Sequence, residues 1–322
     1  MVGIGNALVD VLAHEDERFL EEHGLVKGSM TLVDTERAEA LYADMTTGIE
    51  MSGGSAANTV SGIASFGGRA GYIGRVFDDQ LGAVFAHDMR STGVVYRSHS
   101  AVEGPPTGRC LIVVTPDAQR TMSTYLGSSE FFGPEHVDSE LIASAQVTFL
   151  EGYLFDRPEA KEAYWKASRV AHDAGRRVSL TLSDTFCVER HRHEWRDLVA
   201  DQVDILFANE AEALALYEVD TFDEALAAAR ADVEVAVITR GPKGSVVARG
   251  DEVVAIAAHP VEVVDTTGAG DLYAAGFLFG FTQGRSMQAC GTLGSVAASA
   301  VLGHTGARPG LSLAQIIAPL GL

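Results

Sequence analysis

Residues 265–271 read Asp-Thr-Thr-Gly-Ala-Gly-Asp and run into the apolar stretch LYAAGFLFGF. A buried strand that enters a helix through Gly268, Ala269 and Gly270 leaves the first backbone N–H groups of that helix bare. Those donors, together with the helix dipole, attract an anion. Asp271, one turn in, would repel that anion unless it had work of its own. If the anion is a phosphoryl group in transfer, the N–H groups stabilise its charge and Asp271 takes the proton of an attacking hydroxyl. The alternative is a capped helix in which glycine and aspartate only shape the turn.

Other groups carry paired options of the same kind. In SGGSAANT, residues 52–59, Gly53 and Gly54 let a ligand approach the backbone, and Asn58 offers a donor and an acceptor one turn into a helix. The same letters also make a tight strand-to-helix turn with one polar helix residue. Asp10 closes the first apolar stretch, behind Asn6. It is either a cap or chain exit, or a carboxylate that accepts from two hydroxyls of a sugar. Asn209 and Glu212 have capping-box spacing; the functional option places Glu212 near hydrated Mg²⁺ and Asn209 near phosphate. TRGPKG, residues 239–244, is a strand-to-hairpin turn or a strand end whose Thr239, Gly241 and Gly244 meet a nucleotide. A metal on CVERHRHEW is set aside, because Arg190 and Arg192 would repel it.

Such residues need a scaffold, and the rest of the chain describes one. Its 322 residues are 47% hydrophobic and 21% charged, enough for a sizeable core. A formal net charge of -20 argues against nucleic acid and anionic membranes as partners. The three cysteines, Cys110, Cys187 and Cys290, have no disulfide or zinc spacing. No signal peptide or membrane span is read, so the expected location is the cytoplasm. From residue 146 short apolar runs (QVTFLEG, RVSLTLS, VDILFAN, EVAVITRG) alternate with helical patterns, which predicts βαβ units and a mostly parallel sheet. Two segments break the rhythm. Residues 11–50, containing GSMTLVD, and 96–126, reading as a hairpin around Pro116-Asp117, are expected to form a small β-rich lid. Residues 1–10, 51–95 and 127–322 are then a large α/β nucleotide-binding core.

In this order and spacing the motifs resemble the ribokinase-like (PfkB) carbohydrate and nucleoside kinases. SGGSAANT is similar to the first signature of that family and DTTGAGD to its second. The resemblance spans nearly the whole chain and implies the ribokinase-like fold, with ATP as co-substrate and Mg²⁺ as cofactor. It makes Gly268, Ala269 and Gly270 the anion hole and Asp271 the base, and it implies a phosphate-contacting lid arginine at Arg120. A monovalent-cation (K⁺) loop near Asp265, Thr267 and Gly306 is implied as well. GNALVD at 5–10, PTGRC at 106–110 and VDILFANEAEA at 203–213 resemble the adenosine kinase branch most. There Asn6 and Asp10 would contact a nucleoside, with Phe186 stacked on its base and Met30 over the same pocket. Tyr153 and Leu154 are further candidates for the apolar slot. EGYLFD at 151–156 departs from a Phe-rich stretch in that branch, and Met30 replaces a polar residue. The implied reaction is phosphorylation of a nucleoside 5′-hydroxyl, adenosine to AMP, by a monomer or homodimer. A sugar kinase for ribose or fructose, other nucleosides, and a non-catalytic nucleotide-binding regulator are the alternatives. A dinucleotide-binding dehydrogenase is disfavoured, since no G-x-G-x-x-G follows the first strand.

Overall fold

The computed structural model describes residues 1–117 and 119–320. Nine strands form one sheet in the order Glu252–Ile256, Ser245–Arg249, Val235–Thr239, Ile205–Asn209, Arg177–Thr181, Val147–Glu151, Val2–Ile4, Gly71–Ile73, Val95–Tyr96. Pairing is parallel from Val235–Thr239 to Val95–Tyr96, and the hairpin 245–256 closes the other edge antiparallel. The parallel strands are near-continuous apolar runs because helices cover both faces. Side chains alternate between those faces. Phe149, Phe207 and Val237 pack with Leu272, Phe277 and Leu293 on one side. Leu150, Leu180 and Leu206 pack with Tyr164 and Trp195 on the other. No described helix is long and apolar enough to cross a membrane.

A second sheet has the order Met30–Leu32, Arg120–Gly127, Thr107–Val114, Leu8–His14, Ile49–Gly53. Its Val9, Val11, Leu111 and Val113 are buried in one cluster with Phe19, Leu20 and Leu41, which come from the helices Glu17–Glu22 and Thr35–Asp44. Cys110, Ile112 and Val114, with Leu12 and Met122 against them, form a separate cluster on the other side.

The first ten residues differ from the single strand read in the sequence. They break into Val2–Ile4 in the large sheet and Leu8–His14 in the small one. The cause lies at Gly5-Asn6: a side chain on Gly5 would collide with Glu151 and Ala56, and the Asn6 N–H donates to the Glu151 carboxylate at 3.1 Å. With that donor diverted the first pairing ends, and the chain crosses between sheets. Residues 8–10 and 51–53 accordingly belong to the small sheet, while Tyr96 pairs in the large one.

Two helices meet behind the crossing. Gly62, in the helix Ser55–Ser65, faces Ala275 and Leu272 of the helix Ala269–Thr282 so closely that an added Cβ would lie 2.6 Å from the Ala275 Cβ. This contact sets the spacing between the helix bearing Asn58 and the helix bearing Asp271. Gly62→Val should therefore destabilise the protein by about 1–3 kcal/mol through overpacking. Urea unfolding followed by circular dichroism checks this, and an unchanged midpoint would contradict the packing described.

Candidate active site

The helix Ala269–Thr282 starts at Gly268, whose φ of 77° puts it in the left-handed region that favours glycine. A side chain there would also strike the Ala307 backbone. Ala269 N–H reaches Thr266 O at 3.3 Å and Leu272 N–H returns to Gly268 O at 2.9 Å. Among the described residues, the N–H groups of Gly270 and Asp271 find no acceptor. A Cβ on Gly270 would meet nothing within 4 Å, so the protein's own packing gives no reason for a glycine there. Open space before bare amides at a helix start suits an anion.

Asp271 is held from the other glycine motif. Its Oδ1 accepts from Ser55 Oγ at 2.6 Å and its Oδ2 from Asn58 Nδ2 at 3.0 Å. Thr59 Oγ1 adds a bond to the Asp271 carbonyl at 3.2 Å. Burial pushes the Asp271 carboxyl above its ordinary value, while Ser55 and Asn58 pull it back. A carboxylate so placed is fixed in direction and raised in basicity, as proton abstraction requires.

The acceptor-side residues meet at the crossing between sheets. Asn6 N–H and Nδ2 donate to Glu151 Oε1 at 3.1 and 3.0 Å, and Ala56 N–H donates to Glu151 Oε2 at 2.7 Å. Glu151 is 1% exposed, and burial pushes it up to about 7 despite these three donors. Asp10 is half-buried and is pushed up to about 6 by burial; Arg308 and Arg120 pull it down, and Asp271 adds to the push. Gly53 is glycine because a Cβ would occupy the position of the Asp10 carboxylate, and Gly54, at φ 96°, because a Cβ would strike Asn6 O. The second glycine motif thus packs directly on Asn6 and Asp10.

Asp10 shares its face of the small sheet with apolar side chains, since directly paired residues point to one side. Asp10 pairs with Met51 and Cys110. The next row on that face runs Met30, Met122, Ile112, Leu12, Ile49. Met30 is 46% and Ile49 62% exposed at the two ends of this row, Leu12 and Met122 are half-buried, and Ile112 in its centre is buried, so the row offers partly open apolar surface beside a carboxylate.

Arg120, at the start of its small-sheet strand, reaches the phosphate side. Its Nη1 lies 2.8 Å from Asp265 Oδ2, with both side chains largely buried. Among the described residues its buried Nε and Nη2 donate to nothing. Asp265 Oδ1 accepts from Thr267 N–H at 3.0 Å and Thr267 Oγ1 at 2.7 Å, and its Oδ2 also accepts from Gly306 N–H at 3.0 Å. A carboxylate has about four lone-pair sites, and donors fill all of them here. The Asp265 carboxylate therefore has no lone pair left for the K⁺ that the resemblance implied; the guanidinium of Arg120 supplies the positive charge there instead.

At Asn209 and Glu212 the capping box is formed. Asn209 Oδ1 accepts from Glu212 N–H at 2.8 Å, and Glu212 Oε2 accepts from Asn209 N–H at 2.9 Å. Asn209 Nδ2 donates to Glu212 Oε1 at 2.5 Å. Burial and the charge of Asp184 push Glu212 up to about 7. Each of its oxygens keeps a lone pair, so the donor set fits a hydrated Mg²⁺ beside it, bound through water. Thr239 pairs with Asn209 across adjacent strands. Gly241 and Gly244 both have positive φ, and a side chain on Gly244 would hit Ile256 O. Past them lies a cleft of about 270 Å³ lined by Ile256, Ala258, His259, Gln288, Thr292 and Ser295.

The remaining candidates are spread out. Phe186 is 57% exposed, with the Arg190 guanidinium 4.5 Å from its ring centre. Tyr153 is 37% exposed and Leu154 is buried in the core behind the sheet, so Leu154 cannot line an open slot. Sequence reasoning passed over Ser55, Glu151, Asp88 and Arg308. Glu151 had a signal, a carboxylate closing the buried run VTFLE; Asp10, expected to close its strand, lies inside Leu8–His14 instead.

A family model described as pfkB family carbohydrate kinase matches residues 31–313. A crystal structure of adenosine kinase from Sinorhizobium meliloti is 51% identical, with 100% of this chain and 98% of that one covered and a TM-score of 0.90. A probable sugar kinase from Rhizobium etli is 48% identical over 99% of this chain and 98% of that one, with a TM-score of 0.91. The adenosine kinase of Saccharomyces cerevisiae is 28% identical over 89% of this chain and 90% of its own length. The architecture is ribokinase-like and the activity is that of a phosphotransferase with an alcohol acceptor. Bare amides opposite a braced carboxylate are what that chemistry needs, and with the match over residues 31–313 they make this chain a member of the pfkB family of carbohydrate kinases.

Proposed function

We propose that the protein transfers the γ-phosphoryl group of ATP to the 5′-hydroxyl of a nucleoside, adenosine foremost, giving ADP and AMP. The observation that carries the choice of a nucleoside is the apolar row Met30, Met122, Ile112, Leu12, Ile49 beside Asp10, open at Met30 and Ile49. A free sugar has no apolar face to place there, whereas a purine desolvates one. Asp10 and Asn58 would hold the ribose hydroxyls, and Phe186 would take the other face of the base. The relatives called adenosine kinase point the same way, and the relative called a probable sugar kinase names the competing reading.

In the reaction Asp271 takes the proton of the acceptor hydroxyl as its oxygen bonds to the γ-phosphorus and the bond from that phosphorus to the β-bridging oxygen breaks, releasing ADP. Negative charge on the transferring group faces the Gly270 and Asp271 N–H groups and the free Nε and Nη2 of Arg120. Mg²⁺ held through water beside Glu212 would offset the charge of the triphosphate. The triphosphate would run from the glycine turn past Asn209 and Thr239, with its base toward Gly241, Gly244 and the cleft at His259. The small sheet would act as a lid, closing its apolar face on the base and excluding water.

Asp271→Asn should keep the fold and ATP binding while kcat drops by about 10²–10⁴; a defect confined to KM would assign Asp271 to binding instead. With Mg-ATP, adenosine should exceed ribose and fructose in kcat/KM by at least about tenfold. Leu12→Asn should narrow that gap by lowering the adenosine value alone. Ribose or fructose equal to adenosine on the wild-type enzyme would give the acceptor site to a sugar. Hydrogen exchange in residues 11–50 and 96–126 should slow together on adding a nucleoside, and a response in one segment alone would mean that they do not move as a unit.

A further inference from the structure

Arg308 belongs to the loop between the helices Met287–Leu302 and Leu313–Ile317. The same loop supplies the Gly306 N–H to Asp265 and the Ala307 backbone that packs on Gly268. From there the Arg308 side chain runs into the acceptor side. Nη2 donates to Ser52 Oγ at 2.6 Å, Nη1 to Asp88 Oδ2 at 3.0 Å, and Nε to Asn58 Oδ1 at 3.4 Å. Asp88 Oδ2 also accepts from Ser52 N–H at 2.9 Å and from Ser52 Oγ at 2.5 Å. Arginine, serine and aspartate thus form one closed unit directly before Gly53.

We infer that Arg308 is a positioning residue of the acceptor site: it fixes the Asn58 carboxamide that braces Asp271, and it stands as the compensating cation beside Asp10. The first half follows from donor chemistry. A guanidinium only donates and a carboxylate only accepts. With Arg308 on one end of Asn58 and Asp271 on the other, the amide has one workable orientation, Oδ1 to Arg308 and Nδ2 to Asp271. Without Arg308 the amide can turn its oxygen toward the Asp271 carboxylate and lose that bond. The second half follows from place and charge: Arg308 holds Ser52, and a Cβ on the next residue, Gly53, would coincide with the Asp10 carboxylate. The groups acting on Asp10 are Arg308, Arg120 and Asp271, and Cys110 is paired next to it. Arg308 is the first of the two cations that pull its carboxyl down against burial. Each nitrogen of the guanidinium already has a protein acceptor, so Arg308 acts as a strut between Ser52, Asp88 and Asn58.

This rests on the acceptor-site reading of Asp10 and Asn58, and the test separates the two. Arg308→Met, Arg308→Lys and the pair Arg308→Met with Asp88→Asn are compared with wild type and Asp10→Ala. The paired change removes the buried Asp88 charge that Arg308→Met alone would leave uncompensated, so it carries the test if the single variant does not fold. The acceptor is adenosine. In Arg308→Met and in the paired variant, kcat/KM for adenosine at neutral pH should fall by about tenfold or more, with KM for ATP within about twofold of wild type. The acid limb of that kcat/KM profile should move up by about one pH unit, because the raised Asp10 carboxyl loses a cation and must be ionised to bind. Arg308→Lys restores the charge without the three-point contact, so the acid limb should return while kcat stays low. A folded paired variant with wild-type kcat and acid limb would overturn the inference. If Asp10→Ala leaves the KM of adenosine unchanged, the acceptor-site reading fails; if it raises that KM while both Arg308 variants behave as wild type, only the role of Arg308 fails.

Discussion

Three carboxylates, Asp10, Glu151 and Asp271, gather near where the chain crosses between the two sheets; burial raises all three, and the charge of Asp271 acts on both of the others. Removing an ionised carboxylate from water costs several kcal/mol unless donors or cations compensate it. Much of the surrounding structure is that compensation. Glu151 takes three N–H donors, two from Asn6 and one from the start of the helix Ser55–Ser65. Asp271 takes Ser55 and Asn58 from the same helix. Among the described residues no donor reaches Asp10, and Arg308 and Arg120 are the cations that pull its carboxyl down. The compensation is incomplete for all three, and two of them, Asp10 and Asp271, would face substrate in the proposed reaction. A polyhydroxylated acceptor would complete it for Asp10, and proton transfer would do so for Asp271.

The same economy explains the phosphate side. Arg120 neutralises Asp265 with one nitrogen and keeps two others free, so a cation is anchored next to bare amides before any nucleotide arrives. Because Arg120 starts a strand of the small sheet and Asp265 precedes the catalytic helix, their pair also joins the two parts of the molecule. Substrate preference is a separate matter. In the proposed reaction the crossing would handle hydroxyls and phosphate for nucleoside and sugar alike, and the distinction would fall to the apolar row on the small sheet.

What could be read from the sequence was what is local in it. The helix start Thr-Thr-Gly-Ala-Gly-Asp sets bare amides and a carboxylate within one turn, and SGGSAANT places Asn58 one turn into its helix, so both motifs could be recognised and joined. The buried strand expected before Asp265 is instead an exposed irregular segment, since its Val261, Val263 and Val264 pack on no sheet. The alternating apolar runs after residue 146 gave the parallel sheet because each strand is covered on both faces. The break at Gly5-Asn6 was hidden, since its cause is Glu151, 145 residues away. Arg308 meets Ser52 across 256 residues, and nothing in GARPG marks that arginine as more than a loop residue. Met30 and Phe186 were chosen as apolar side chains at the expected positions; the row that Met30 belongs to depends on strand register, which pairs it with Met122 and which a single sequence does not contain. The K⁺ assignment at Asp265 could not anticipate that an arginine from the other sheet would fill its last lone pair.

Incomplete compensation of a carboxylate cluster is the central claim, and a site-resolved titration measures it. Carbon-13 labelling of aspartate and glutamate side chains in the free protein, with Asp10→Asn, Glu151→Gln and Asp271→Asn to assign the resonances, gives each carboxyl its own curve. Asp10 should titrate near 6, Glu151 near 7, and Asp271 above the ordinary aspartate range. Removing the charge of Asp271 should lower both of the others, because each feels it. If all three titrated at about 4, independently of one another, the crossing would be an ordinary solvated cleft and the claim would be wrong.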